Sequence, residues 1–290
     1  RVEPAFEVEQ RVFDGLEWGQ LLANFDDVFG SAHSVSVFTR WGADRDEPVS
    51  VAQLWLKRRT DQPDRSHVVL ALGAIEVTEP RHPIRGLSAE ACTEQLGVPG
   101  LWSDRLPHFR RDFTPSFGEE IQSEYFVDRV DAGAGIAAIR NVSDRLGEAL
   151  LISEIRTVAK DEIAMSPAFG RDSVTFNFTW VPDPDAAGRA AAVVLEALAP
   201  LNPLSHWGKV FPRMQHLAAR YPTAGDFFER TSEPFLNGWF RDNLQASAGR
   251  PTLDSSARIG LGTFGSDSVP HEAVAAAVRQ HGATGRRVRR

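Results

Sequence analysis

Ser173, Thr175, Asn177 and Thr179 alternate without interruption with Val174, Phe176, Phe178 and Trp180. A period of two belongs to a β-strand, in which successive side chains point to opposite faces. Three large rings on one side are too much apolar surface to leave in water, so this strand predicts a sheet with one covered face. The opposite row has two readings. It is an ordinary polar face in water, or it presents Asn177 and Thr179 as amide and hydroxyl to a polar ligand.

The remaining pattern builds around that strand. Helical spacing of apolar residues runs from Leu21 to Phe29. Strands are predicted for Ser34 to Phe38, Val51 to Lys57, Gln122 to Val127 and Leu151 to Val158. Val130 to Leu151 reads as a helix, with Ile136, Ile139, Val142 and Leu146 along one stripe. Asp185 to Leu198 reads as an alanine-rich helix closed by Pro200. Residues 60 to 121 are rich in Pro, Gly and Asp and predict long loops with short elements; the loop with Trp102, Pro107 and His108 reads as cover for an interface or, by default, as packing. This order specifies an α+β fold, a mostly antiparallel sheet with helices packed on one face. Arg1 to Val8 reads as a strand entered midway, so residues 1–12 are expected to end a preceding domain. Residues 13–244 would then form the main domain. Residues 245–290, dominated by Ser, Gly, Ala and Arg, would form a peripheral tail.

Composition excludes several functions. The net charge of −7 argues against general nucleic-acid binding, which needs a basic face to displace counterions. The basic run Arg286 to Arg290, broken only by Val288, reads as a solvated terminus. No apolar run reaches the about 18 residues of a membrane span. With Cys92 as the one cysteine, an intrachain disulfide and a cysteine-based metal site are both excluded, and a reducing, cytoplasmic location is expected. The eight histidines form no His-x-x-x-His pair, so a metal site is not expected. Gly260 to Gly265 has dinucleotide-type glycine spacing, but it lacks a preceding strand and a following acid.

Charges placed in apolar segments point to the candidate site, because burying a charge without a partner is unfavourable. Glu154 and Arg156 share one face of their strand, while Ser153 and Ile155 take the other. They read either as a structural ion pair at the sheet surface, or as a carboxylate and a guanidinium facing a polyol or an electron-rich cofactor. In His206-Trp207-Gly208-Lys209, the glycine allows close backbone approach. Lys209, beside Trp207, Val210 and Phe211, either snorkels to solvent or is a fixed cation.

Taken in order, these strings resemble a known family. They include Pro4 to Glu7, Leu54 to Arg59, Cys92 to Gln95, Leu106 to Phe109, Gln122 to Tyr125, Glu154 to Val158, Ser166 to Asp172, Phe178 to Trp180 and His206 to Lys209. The chain resembles the C-terminal substrate domain of the alditol (xylitol) oxidases, FAD enzymes of the vanillyl-alcohol oxidase superfamily. The D-arabinono- and L-gulono-1,4-lactone oxidases share this domain. The resemblance implies oxidation of a primary alcohol of an alditol such as xylitol or sorbitol by hydride transfer to flavin N5. O2 would be reduced to hydrogen peroxide. It implies FAD held mainly by an N-terminal domain of the same full-length protein. Glu154, Arg156 and Lys209 would be catalytic, joined by Thr179 and Asn177 in binding substrate. Arg156, Lys209 and His206 would face the cofactor. The pattern departs at Asn177, where alditol oxidases carry His, and after Phe211, from Tyr221 to Phe227. A lactone oxidase and a truncated, non-catalytic polyol-binding module are the competing readings.

Overall fold

The computed structural model describes residues 3–42, 51–113 and 120–210, together with Tyr221 and Phe227. These residues divide between two compact units. Those up to Phe38 and those between Val51 and Glu120 belong to the first; Thr39 to Gly42 and those from Ile121 onward belong to the second. The expected tail from residue 245, with its glycine string, lies outside the described residues.

The first unit is an antiparallel sheet with short helices. Strand β1 (Glu7–Asp14) leads through helices α1 (Trp18–Ala23) and α2 (Phe25–Phe29) to β2 (Ser34–Thr39) and β3 (Gln53–Arg59). Helix α3 (His67–Ala71), the two-residue strands β4 (Ile75–Glu76) and β5 (Gly100–Leu101) and helix α4 (Trp102–Arg105) follow. β3 lies between β1 and β2, and β1 also pairs with β4 and β5. The expected boundary at residue 12 falls inside β1. Val12 and Phe13 of β1 and Leu54 and Trp55 of β3 are among the buried apolar residues of this unit. Lys57 is buried as well, and its ammonium donates to the carbonyls of Arg105, Leu106 and Pro107 at 3.0, 2.6 and 2.9 Å. Three carbonyl dipoles thus replace the water the charge gave up. The loop residue His108 does pack, lying edge-on to Trp55 with ring centroids 5.4 Å apart.

The second unit carries the strand that opened the sequence reading. Its elements are β6 (Ile121–Asp128), α5 (Ala132–Asn141), β7 (Leu150–Val158), β8 (Ser173–Trp180), α6 (Pro184–Leu198) and β9 (Leu204–Ser205). β8 is central, with β7 on one side and β6 on the other, and β9 pairs with the far edge of β6. These strand pairings are all antiparallel, as the α+β reading expected. The apolar row of β8 faces the helices. Phe176 lies where a side chain at Gly135 of α5 would sit, and the neighbouring Tyr125 donates its hydroxyl to Ala191 O of α6 at 3.1 Å. Phe176, Phe178 and Trp180 are fully buried, which stabilises the unit by about 1.5–3 kcal/mol for each large apolar side chain.

Two expectations are corrected here. The helix read from Val130 to Leu151 stops at Asn141, and two 3-10 turns, Ser143–Arg145 and Gly147–Ala149, complete the segment. Ser143 Oγ donates to Arg140 O at 2.9 Å, a side-chain bond that competes with continued helix, and Gly147 takes φ +51°, which favours glycine. The polar row of β8 is not in water either. Ser173, Thr175, Asn177 and Thr179 are all buried, so β8 is enclosed on both faces.

Candidate functional site

Within the second unit, the site lies on the face of β6, β7 and β8 away from α5 and α6. Glu154 of β7 pairs with Asn177 of β8, and Asn177 pairs with Glu124 of β6. Residues opposed in a ladder share a face, so these three form one polar row across three strands. The next row holds Arg156, Thr175 and Phe126, and Thr179 lies between Ile152 and Gln122 on the other side. The register is unbroken from Ile152 to Val158, which leaves Ser153 and Ile155 opposite Phe178 and Phe176; it shifts only before Ile152, toward Leu150. Ser153 Oγ is satisfied locally by Asn177 O at 2.7 Å.

Glu124 joins the charges. Arg156 reaches across β8, and its Nη2 donates to Glu124 Oε1 at 2.7 Å. Lys209 Nζ donates to Glu124 Oε2 and to Asn177 Oδ1, each at 2.8 Å. Each oxygen of one carboxylate therefore holds one cation. Arg156 Nε lies 3.7 Å from Glu154 Oε1, an ion pair but too long for a hydrogen bond. The side chains of Glu124 and Glu154 are 3% and 7% exposed, against 35% for Arg156 and 18% for Lys209. The carboxylates thus lie beneath and the cations above. Lys209 is fixed and does not snorkel to solvent, and the main partner of Arg156 is Glu124 rather than its strand neighbour Glu154.

The turn after β9 holds Lys209 in place. His206 N–H donates to Glu124 O at 2.9 Å, and Val210 N–H to Gln122 O at 2.8 Å, so the turn runs along β6. Gly208 N–H donates to His206 Nδ1 at 3.0 Å, and a Cβ on Gly208 would come within 3.2 Å of that ring. This is the close approach the glycine permits. Trp207 Nε1 donates to Met165 O at 2.7 Å and ties the turn to the loop after β7.

Electrostatics follow from these contacts. Burial alone would raise the Glu124 carboxyl, but the Arg156 and Lys209 cations outweigh it and hold Glu124 below the usual carboxylate range. Burial pushes His206 below its ordinary value, and its Nδ1 accepts the Gly208 N–H, as a neutral ring does. Burial opposes the charge of Arg156, yet Glu154 and Glu124 together raise its value. Two buried atoms, Arg156 Nε and Thr175 Oγ1, have no hydrogen-bond partner among the described residues. Each such group typically costs about 1–3 kcal/mol. They sit on residues paired directly across β7 and β8.

The structure thus groups all six residues singled out in the sequence, Glu154, Arg156, Asn177, Thr179, His206 and Lys209, in one unit. Sequence reasoning missed Glu124. Its signal was the same as that of Glu154: an acid inside a segment of strand character, between Ser123 and Tyr125. Among the described residues, no group of three or more His, Cys, Asp or Glu side chains is placed to hold a metal ion. No helix among them is long and apolar enough to cross a membrane.

A buried charged row on an antiparallel α+β sheet is the setting the sequence strings implied, and comparison shows the chain to be a relative of an oxidase. That relative is an alditol oxidase from Streptomyces sp., 43% identical over 251 residues, a match covering 84% of this chain and 57% of that protein. The resemblance read from the strings therefore stands, and the chain spans little more than half the length of the curated relative it matches. No family model matches. Among solved structures, the chain is similar to CrmK, a flavoenzyme involved in shunt product recycling in caerulomycin biosynthesis. The TM-score is 0.40 and the identity 14%, over 70% of this chain and 43% of that one. It is also similar to a variant of Physcomitrella patens BBE-like 1, at a TM-score of 0.37 and 9% identity, over 68% of this chain and 43% of that one.

Proposed function

We propose that the chain is the substrate-holding part of an FAD-dependent alditol oxidase that acts on a primary alcohol of a polyol such as xylitol or sorbitol. The observation that carries this reading is the Glu124 carboxylate holding Arg156 and Lys209 on one floor with Glu154, Asn177 and Thr179. The relationship to alditol oxidase supports it. The part of that relative not spanned by this chain is where the reading places the main flavin-holding domain.

The donor set suits a flavin edge. Arg156 and Lys209 are fixed cations, and Arg156 Nε is a buried donor without an acceptor among the described residues. Such groups favour an electron-rich edge that gains negative charge on reduction. Arg156 and Lys209, with His206 beside them, would hold that edge. When bound, FAD supplies the two-electron chemistry that turns a primary alcohol into an aldehyde and O2 into hydrogen peroxide.

The chain's own groups bind and orient. Glu154 accepts a hydrogen bond from the reacting hydroxyl and fixes its direction. Thr179 and Asn177 hold hydroxyls further along the polyol. An amide at Asn177 has no proton to relay at neutral pH, so its role is restricted to hydrogen bonding. The buried floor excludes bulk water, which strengthens each of these contacts. A cytoplasmic location belongs to the same proposal, supported by the single, buried Cys92.

The test is a titration of the isotope-labelled chain, following the Arg156 Nε–H resonance. A saturable shift with xylitol supports the reading. A response to L-galactono-1,4-lactone alone moves it to a lactone oxidase, and a response to neither ligand sinks it. With a flavin domain supplied, Arg156→Ala and Lys209→Ala are expected to abolish most peroxide production from xylitol.

A further inference from the structure

The position of Glu124 has a consequence for which ligands the floor accepts. Its carboxylate is 3% exposed, beneath two cations that are 18% and 35% exposed. A ligand entering from the open side therefore meets Lys209 and Arg156 and not Glu124. Each cation already has a carboxylate oxygen at 2.7 or 2.8 Å. A carboxylate or phosphate on the ligand would compete with Glu124 for charges already matched. It would also lose its own hydration in a half-buried place. Among the described residues, the charges grouped here are Glu124 and Glu154 against Arg156 and Lys209, which balance, with His206 neutral. Hydroxyl groups meet no such penalty, because they exchange water for Thr179, Asn177 and the remaining donors.

We propose that Glu124 is a specificity-determining residue that, by holding Arg156 and Lys209, restricts the site to uncharged polyols and turns away their acid and amine counterparts. Glu124 acts through the two cations and does not touch the ligand. The proposal rests on the polyol reading for its ligand series, but its content is the charge preference of the floor.

Three six-carbon probes of the same skeleton test it: sorbitol, D-gluconate and protonated D-glucamine. They end in a hydroxymethyl, a carboxylate and an ammonium group. Dissociation constants are measured on the full 290-residue chain by NMR titration at pH 7 and low ionic strength. Glu124→Gln adds one positive unit while keeping the side-chain shape. It is expected to gain at least tenfold for gluconate relative to sorbitol, compared with wild type. A merely structural role would weaken all three probes alike, and that result, or an unchanged gluconate-to-sorbitol ratio, overturns the proposal. Should Glu124→Gln fail to show a cooperative melt, the mirror variant Lys209→Gln decides. It should gain at least tenfold for glucamine relative to sorbitol, and the absence of that gain overturns the proposal. A wild-type chain that ignores sorbitol counts against the polyol reading alone. The gluconate-to-glucamine ratio in the variants still decides the role of Glu124.

Discussion

Replacing Lys209 with Met keeps the length and apolar stem of the side chain and removes its ammonium. Two bonds of 2.8 Å are lost, to Glu124 Oε2 and Asn177 Oδ1. Hydrogen bonds to charged groups are worth about 1.5–3 kcal/mol, and breaking a fully buried pair costs about 3–5 kcal/mol. Arg156 remains on Glu124 Oε1, and Lys209 is partly open to solvent, so the lower part of that range applies. We expect Lys209→Met to destabilise the chain by about 2–3 kcal/mol in urea titrations at pH 7, with an unchanged m-value. A double-mutant cycle with Glu124→Gln should return a coupling of about 1.5–2 kcal/mol, because each partner's loss already includes the other's. The coupling has a defined pH dependence. Despite burial, Arg156 and Lys209 depress the Glu124 carboxyl, so its contribution is complete above the unfolded carboxyl value, about 4.3, and fades as pH falls through the lower folded value. The coupling should be flat from pH 7 to 5 and shrink only below about pH 4. A coupling under about 0.5 kcal/mol, or one that grows on acidification, would refute the assignment of Glu124 as the shared anchor.

Three further outcomes are expected. Gly135→Ala would normally stabilise a helix interior by about 1 kcal/mol, but here the new Cβ would lie 2.8 Å from the Phe176 ring. Phe176 is itself hemmed in by Trp41 at 6.0 Å, so a net loss of about 1–2 kcal/mol should appear in denaturant titration. Part of it should be recovered in the pair with Phe176→Leu; a stabilised single variant would disprove the tight contact. Asp183→Ala removes the acceptor of two N–H groups at the start of α6 and should cost about 1 kcal/mol, with Asp183→Asn nearly neutral by thermal melting. Cys92 is buried, and burial pushes its thiol up to about 12, so mass spectrometry should find it unalkylated by iodoacetamide at pH 8 until denaturant is added.

Legibility in the sequence followed the range of the interactions involved. β8 was readable to its last residue because strict alternation over Ser173 to Trp180 needs no partner to be recognised. Helix α6 was equally plain, since the alanine run and the closing Pro200 are local signals. The end of α5 was misplaced because apolar spacing continues through Val142 and Leu146 after the backbone has changed to tighter turns. The burial of Thr175 and Asn177 was not legible, because what covers a strand face is decided by residues distant in sequence. Glu124 was overlooked for the same reason. Its cations are 32 and 85 residues away, and only the order of strands brings them together. Lys57 was equally opaque, because the three backbone carbonyls that solvate its ammonium leave no trace in residue type.

The guanidinium of Arg156 spans a whole strand to reach Glu124, since β7 and β6 are separated by β8 and lie about 10 Å apart at ordinary sheet spacing. Such a strap permits a single alignment. A slip of β7 by one residue would turn Arg156 toward the helices, and a slip by two would carry it about 7 Å along the sheet and out of reach. The charged bridge therefore favours one alignment of β7 against β6, whatever lies between them.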